Sequence, residues 1–373
     1  MLYYDFPAIY TAGKKADCQN LLIAGGKGNG KTFGALRQGL KIFLGLESPE
    51  MEGYIIRYAR RRKESVKQGT IKNLFRPHEQ WLETVTDGKY NAIVCRGSRF
   101  YMAKYDGDKQ IYRMQRECCV ANSLSTWETD CGPDEGEAGI IVFDEAISRE
   151  IELKNEFDCL MKYHNNCRRN RMNYYCPLVL IGNTVTRDCT IFDNFGIDLW
   201  AIDDEKRGLI QYVKNRSGKV NCIFEWCGTA EVQQNAREYY DRFENEKTKM
   251  ITDGVFTVGE YKILTHPPKG VEALTVGFIA PRFKLRVVYL LYPSGDLSVY
   301  VTAPEHIDGC DIYINPRAIS CNGNVKNFFD GRAAEIFRDC YTTNNLIFDC
   351  AKTGEKYRSF AMDCIGLNSC IPA

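Results

Sequence analysis

The sequence predicts an α/β protein, with a mostly parallel sheet in its first half and an α+β arrangement in its second. Two observations carry the first half. Apolar runs that end in a glycine or an acid, at 20–25 and 139–144, read as strands buried on both faces. The stretches between them place apolar residues at helical spacing, as at Phe157, Leu160 and Met161. A third observation carries the second half, where from 276 onward short strands flank a Pro293-Ser294-Gly295 turn. A chain of 373 residues exceeds one ordinary core and suggests two domains and a connecting module, expected at 1–200, 201–275 and 276–373.

Composition excludes several classes. Hydrophobic residues at 44% and charged residues at 26% are globular values and argue against disorder. Lys and Arg total 49 against 48 Asp and Glu, so the net charge of +1 excludes coating of nucleic acid by bulk charge, though not a local basic surface. No apolar run reaches the roughly 18 residues of a membrane span. The start, Met1-Leu2-Tyr3-Tyr4-Asp5-Phe6, lacks a signal peptide's pattern, so a soluble, unexported protein is expected. The 17 cysteines include no C-x-x-C pair, and the four histidines (His78, His164, His266, His306) stand at no zinc-ligand spacing. The thiols read as small buried hydrophobes.

The first strand runs into Gly25-Gly26-Lys27-Gly28-Asn29-Gly30-Lys31-Thr32, which fits G-x-x-x-x-G-K-[ST] in strand–loop–helix context. Glycines at 25, 28 and 30 let the loop curl so that backbone N–H groups face phosphate oxygens at a helix N-terminus. Lys31 would reach the β- and γ-phosphates and Thr32 would ligate Mg²⁺, so ATP and Mg²⁺ are the expected cofactors.

The second strand delivers Asp144-Glu145. Asp144 suits the Mg²⁺ shell, and Glu145 is placed to accept a proton from attacking water, which hydrolysis needs and transfer to another substrate does not. A third apolar run ends at Asn183, either a turn former or a side chain reaching the γ-phosphate or the water. The segment 155–171 reads as a helix with Arg168, Arg169 and Arg171 at its end. Those cations either complement the helix dipole or supply an arginine finger to a neighbouring subunit. At 53–63 a strand runs into the basic turn Arg60-Arg61-Arg62-Lys63, a solvated loop or a contact to phosphates or DNA.

Further on, short apolar runs near 209–224 and a charged helix-like stretch at 230–249 suggest a lid or connecting module. Then follow a hairpin (285–291 and 297–301), a helix-like segment at 325–342, a strand at 346–349 and a helix near 355–362.

In this order the segments resemble the DNA-packaging ATPases of small tailed phages with protein-primed genomes, the phi twenty-nine type, and more distantly the large terminases. The likeness rests on the phosphate loop, Asp144-Glu145, the strand and basic turn at 54–63, Gly97-Ser98-Arg99-Phe100-Tyr101, the segment 155–171 and Ile181-Gly182-Asn183. It covers about residues 1–190 and is loose beyond. It implies a P-loop ATPase of the additional-strand type that drives double-stranded DNA into a prohead. It also implies a homo-oligomeric ring (a pentamer), a portal, a packaging RNA as partner, and a finger on Arg169 with the register open by one. The implied location is the host cytoplasm, transiently at the portal vertex, with no membrane contact. The chain departs from the family between Tyr105 and Gly139, where it is longer and carries the acidic stretch 134–137.

The last hundred residues resemble the ribonuclease-H-like nuclease half of large terminases. Such nucleases need clustered carboxylates for two metal ions. The segment 285–291, read as the opening strand, holds no acid, and Asp349 alone makes no site. A nuclease-inactive domain that binds DNA or a partner is therefore expected, with Arg282, Lys284 and Arg286 as its candidate basic face. The alternatives are a large terminase with working nuclease and a P-loop nucleotide or nucleoside phosphotransferase. The second leaves Glu145 without a role.

Overall fold

The computed structural model describes residues 4–109, 111–126, 137–147, 153, 155–168, 174–202, 204–227, 261–269, 271–279, 284–314 and 345–360. Its chain divides into two compact units, one of 1–185 with 191–256 and one of 186–190 with 257–373.

The first unit is built on a nine-stranded sheet in the order β3-β4-β5-β2-β6-β7-β1-β9-β8. Strand β1 (Asn20–Gly25) feeds the helix α2 (Lys31–Phe43), preceded by α1 (Phe6–Lys15). Then come β2 (Ile55–Arg60), β3 (Ala92–Arg96), β4 (Arg99–Asp106), β5 (Ile111–Ser123) and β6 (Ala138–Asp144). Helix α3 (Glu156–Cys167), β7 (Leu178–Asn183), β8 (Ile210–Lys214) and β9 (Val220–Trp226) complete it. The run β5-β2-β6-β7-β1-β9 is parallel throughout. Every residue of β6 is buried, which fits a strand with a covered face on each side and explains its unbroken apolar sequence. Strand β7 sits between the phosphate-loop strand β1 and the Asp144 strand β6, and this inserted strand defines the additional-strand arrangement expected above.

Residues 210–226, expected to lie in a linking module, are instead part of the main sheet. β9 pairs in parallel with β1 (Leu21 opposite Ile223) and β8 closes the edge as its antiparallel neighbour. The physical reason is that β1 would otherwise end the sheet with open backbone groups, which a hairpin covers. The helix-like stretch 230–249 lies outside the described residues.

The second unit holds a five-stranded sheet in the order β13-β10-β11-β12-β14. Its strands are β10 (Val271–Ile279), β11 (Lys284–Leu291), β12 (Leu297–Thr302), β13 (Ile312–Ile314) and β14 (Leu346–Phe348). The expected hairpin is β11–β12, and helix α4 (Ala351–Phe360) begins four residues before the expected start at 355. Tyr357 and Phe360 of α4 pack with Val276, Val287, Val299 and Phe348 in one buried cluster. The helix expected at 325–342 lies outside the described residues.

The expected domain boundary at 276 cuts through β10, and the strand that opens this sheet is β10, not β11. β10 carries Glu272, so the inference from an acid-free opening strand falls. Glu272 accepts a hydrogen bond from Thr275 Oγ1 and lies 3.8 Å from Arg286. The short segment 186–190 belongs to this unit through α4. Thr186 Oγ1 donates to the buried Glu355 at 3.0 Å, Tyr261 donates to the same carboxylate at 2.9 Å, and Ser359 donates to Asp188.

Candidate active site

The C-terminal ends of β1, β2, β6 and β7 gather the chemistry-bearing residues at one edge of the parallel sheet, where such sheets bind ligands. The loop after β1 uses Gly28 and Gly30 at φ of 84° and 92°, the left-handed region that L side chains rarely enter. Gly30 caps α2 in that conformation and turns the chain into the helix. Gly25 ends β1 so close to its neighbour that a Cβ there would stand 2.9 Å from Cys227 Cβ.

Lys31 is buried. Its ammonium donates to Gly26 O at 2.6 Å, Gly25 O at 3.0 Å, Asn29 Oδ1 at 3.2 Å and Asn183 Oδ1 at 3.5 Å. Burial pulls its pKa below the usual lysine value, and the nearby Cys227 and Asp144 oppose that. A cation held by four oxygens at a helix N-terminus is a site for phosphate oxygens.

Thr32 Oγ1, in the first turn of α2, donates to Asp144 Oδ1 at the end of β6 at 3.2 Å. The other Asp144 oxygen accepts from Tyr58 OH at 2.8 Å and from Arg60 at 3.2 Å, while Arg60 Nε also donates to Tyr58 OH at 2.7 Å. Arg60 reaches Glu145 Oε1 at 3.4 Å as well, so one guanidinium bridges both acids. Although burial disfavours its charge, Tyr58, Asp144 and Glu145 hold the Arg60 pKa above the ordinary arginine value. Glu145 has φ 63°, an uncommon conformation for a non-glycine residue. Its N–H donates to Asp144 Oδ1 at 3.0 Å, and its side chain is half exposed.

Arg61 anchors this turn from behind. It donates to Glu156 Oε1 at 2.7 Å, to the Glu145 carbonyl at 3.3 Å and to the Ala146 carbonyl at 3.2 Å. Arg61 and Glu156 are both almost fully buried. The basic turn of the sequence thus splits in two: Arg60 and Arg61 face the acids, and Arg62 and Lys63 are exposed.

The structure therefore brings Gly25, Gly28, Gly30, Lys31, Thr32, Asp144, Glu145 and Asn183 to one edge. Arg168 caps the C-terminus of α3, its N–H on the carbonyls of Asn165 and Asn166. Arg169 and Arg171 lie outside the described residues. The sequence did not reveal Tyr58, Arg60 and Arg61 as partners of the acidic pair, because their role depends on β2 lying beside β6, nor Glu156 of α3 as the partner of Arg61. The donors at hand, a threonine hydroxyl and a carboxylate 3.2 Å apart, fit a hard divalent cation. Among the described residues no group of three or more His, Cys, Asp or Glu side chains could hold a metal. The buried thiols of Cys222 and Cys227 are pushed up to about 12 by burial.

This fold and site define a P-loop nucleoside triphosphatase of the additional-strand class. Among solved structures, the chain is similar to the bacteriophage Phi-29 viral genome packaging motor assembly, at 15% identity and a TM-score of 0.54 over 94% of this chain and 96% of that one. It is similar to the Phi-28 gp11 DNA packaging motor at 17% identity and a TM-score of 0.51, again over 94% and 96%. The N-terminal domain of the DNA packaging ATPase from bacteriophage phi29 matches at 21% identity and a TM-score of 0.44, over 61% of this chain and 96% of that one. At these identities the likeness is one of fold, and the first two alignments run well past residue 190, where the sequence resemblance was loose. No known family's sequence profile matches the chain, and no curated protein matches it. No helix among the described residues is long and apolar enough to cross a membrane.

Proposed function

We propose that this chain is the ATP-hydrolysing subunit of a motor that drives double-stranded DNA into a phage prohead. One observation carries the hydrolytic part: Glu145 follows Asp144 at the end of β6 while Asn183, at the end of the adjacent β7, shares Lys31 with the phosphate loop. The fold shared with the Phi-29 and Phi-28 motors supports the choice of DNA as the cargo.

In this function Lys31 exchanges its loop oxygens for those of the β- and γ-phosphates. Thr32 and Asp144 would hold Mg²⁺, which supplies neutralisation of charge on the phosphate oxygens. Glu145 accepts the proton of the attacking water, and Asn183 orients that water or the γ-phosphate. Arg60, bound to both acids, sets the position of Glu145 before water arrives. The subunits form a ring, a pentamer by family resemblance, docked at a portal with a packaging RNA. Arg169 completes the neighbour's site, in which case mixing Arg169→Ala with Lys31→Ala subunits restores part of the hydrolysis that each lacks alone. The C-terminal unit binds DNA or a partner without nuclease chemistry, a reading that rests on Glu272 being engaged by Thr275 and Arg286 rather than on an acid-free strand; metal-dependent cleavage of plasmid DNA by the full chain, lost in Asp349→Ala, would refute it.

The decisive experiment is ATP hydrolysis by the full chain with and without duplex DNA. Phosphate release stimulated by DNA is the expected result. ADP release that requires a nucleoside or nucleotide acceptor would identify a phosphotransferase instead.

A further inference from the structure

The basic surfaces marked out by the sequence are largely engaged within the fold. Arg60 and Arg61 bind Asp144, Glu145 and Glu156; Arg286 lies 3.8 Å from Glu272, and Lys284 donates to the Glu305 carbonyl at 2.8 Å. The β4–β5 hairpin is similar along its length: Arg99 binds Glu117, Arg113 binds Asp106 and Arg116 binds Glu52.

The β8–β9 hairpin differs. Residues 205–219 carry five cations (Lys206, Arg207, Lys214, Arg216, Lys219) and one acid, Glu205. Lys214, Arg216 and Lys219 are exposed around the turn, and among the described residues none of their side chains has an ion pair or hydrogen bond. Beside them on the edge strand stands Tyr212, 51% exposed. The turn itself is firmly built, since Asn215 Oδ1 accepts from the N–H groups of Ser217 and Lys219 at 3.0 Å each. Because β9 runs parallel to β1, this turn lies at the sheet edge opposite the phosphate loop, about 20 Å away at about 3.3 Å per strand residue.

We propose that the β8–β9 turn, with Lys214, Arg216, Lys219 and Tyr212, is a contact for the phosphate backbone of duplex DNA. Three neighbouring cations without carboxylate partners on a rigid turn complement a polyanion, and the tyrosine adds a flat face and a hydroxyl donor beside them. The contact is sequence-independent, as it must be for a surface that meets every part of a moving duplex. It rests on the proposed ATP-driven movement of DNA and adds the surface that holds the cargo.

The test is equilibrium binding of the full chain to a short duplex DNA across a salt series, with a triple variant Lys214→Ala/Arg216→Ala/Lys219→Ala and a control, Lys109→Ala, on the opposite end of the sheet. The triple variant should keep its ATPase rate without DNA. Its slope of log affinity against log salt should fall by about 2–3, at about 0.9 for each phosphate that is no longer neutralised. The control should keep the slope. An unchanged slope in the triple variant would overturn the assignment, and a solubility role for these cations at the end of the edge strand predicts that outcome. A loss confined to duplex RNA of the same length would overturn it as well. If wild-type hydrolysis does not respond to DNA, the proposed function fails first, and the two failures are told apart by whether the wild-type chain binds DNA.

Discussion

The two edges of the main sheet treat charge in opposite ways. At the phosphate-loop edge, Lys31, Asp144, Arg61 and Glu156 are buried and every one of them is held by a named partner. At the far edge, Lys214, Arg216 and Lys219 stand in water. A buried charge is fixed by its neighbours and its loss is felt by the fold, whereas a solvated cation barely affects stability and acts on what approaches from outside. The difference separates residues that set chemistry and architecture from residues that set partners.

The sharpest way to break that comparison is at the catalytic edge. Glu145→Gln should keep nucleotide binding and lose hydrolysis by on the order of 10³, because the amide keeps the shape and cannot accept the proton. Hydrolysis within about threefold of wild type at matched ATP affinity, a barrier change below about 1 kcal/mol, would remove Glu145 from the role of base.

Next in size is the ion pair behind the turn. Arg61→Ala should destabilise the protein by about 3–5 kcal/mol, since it leaves Glu156 buried without a counter-charge. Denaturant unfolding measures this, and Arg61→Met with Glu156→Leu together should cost less than Arg61→Ala alone.

A smaller effect tests a buried base. His78 accepts from Arg37 Nε at 3.0 Å and stacks on Phe33, and burial together with the Arg37 charge pushes its pKa down to about 3. The folded state therefore refuses a proton that the unfolded chain takes up below about 6.5. Stability should be lost as pH falls from there toward 3, by about 2 kcal/mol between pH 7 and 5 from this residue. Unfolding midpoints at the two pH values should converge in His78→Gln relative to wild type. His164, pushed down to about 4 chiefly by burial, adds in the same direction.

Least of all should come from the far edge, where Lys214→Ala, Arg216→Ala and Lys219→Ala should each change stability by less than about 0.5 kcal/mol. A thermal unfolding shift comparable with that of Arg61→Ala would show that these cations carry structure after all.

Much of the catalytic edge was legible in the sequence because its signals are local. A glycine spacing, two adjacent acids and an apolar run ending in asparagine each sit within ten residues, and the strands that carry them follow from unbroken apolar runs. What stayed hidden depends on which strands become neighbours. Tyr58 and Arg60 meet Asp144 only because β2 pairs with β6, and the 209–224 segment looked like a lid because its pairing with β1 spans about two hundred residues of chain. The opening strand of the second sheet was misplaced because β10 runs from Val271 to Ile279, across the expected boundary at 276, and shows itself as a strand only through its pairing with β11.

The passage of the chain from Asn183 into the second unit has a practical consequence for dissecting this protein. Thr186 and Asp188 find their partners on α4, nearly 170 residues further along, while Asn183 itself belongs to the first unit. A fragment that stops at 256 would keep the whole catalytic edge yet leave the strap after Asn183 untied, with the hydroxyl of Thr186 stripped of its acceptor. Slow turnover in such a fragment would then report the untied strap as readily as the absence of the second unit. Only breaking the strap within the intact chain, by Thr186→Val, distinguishes the two.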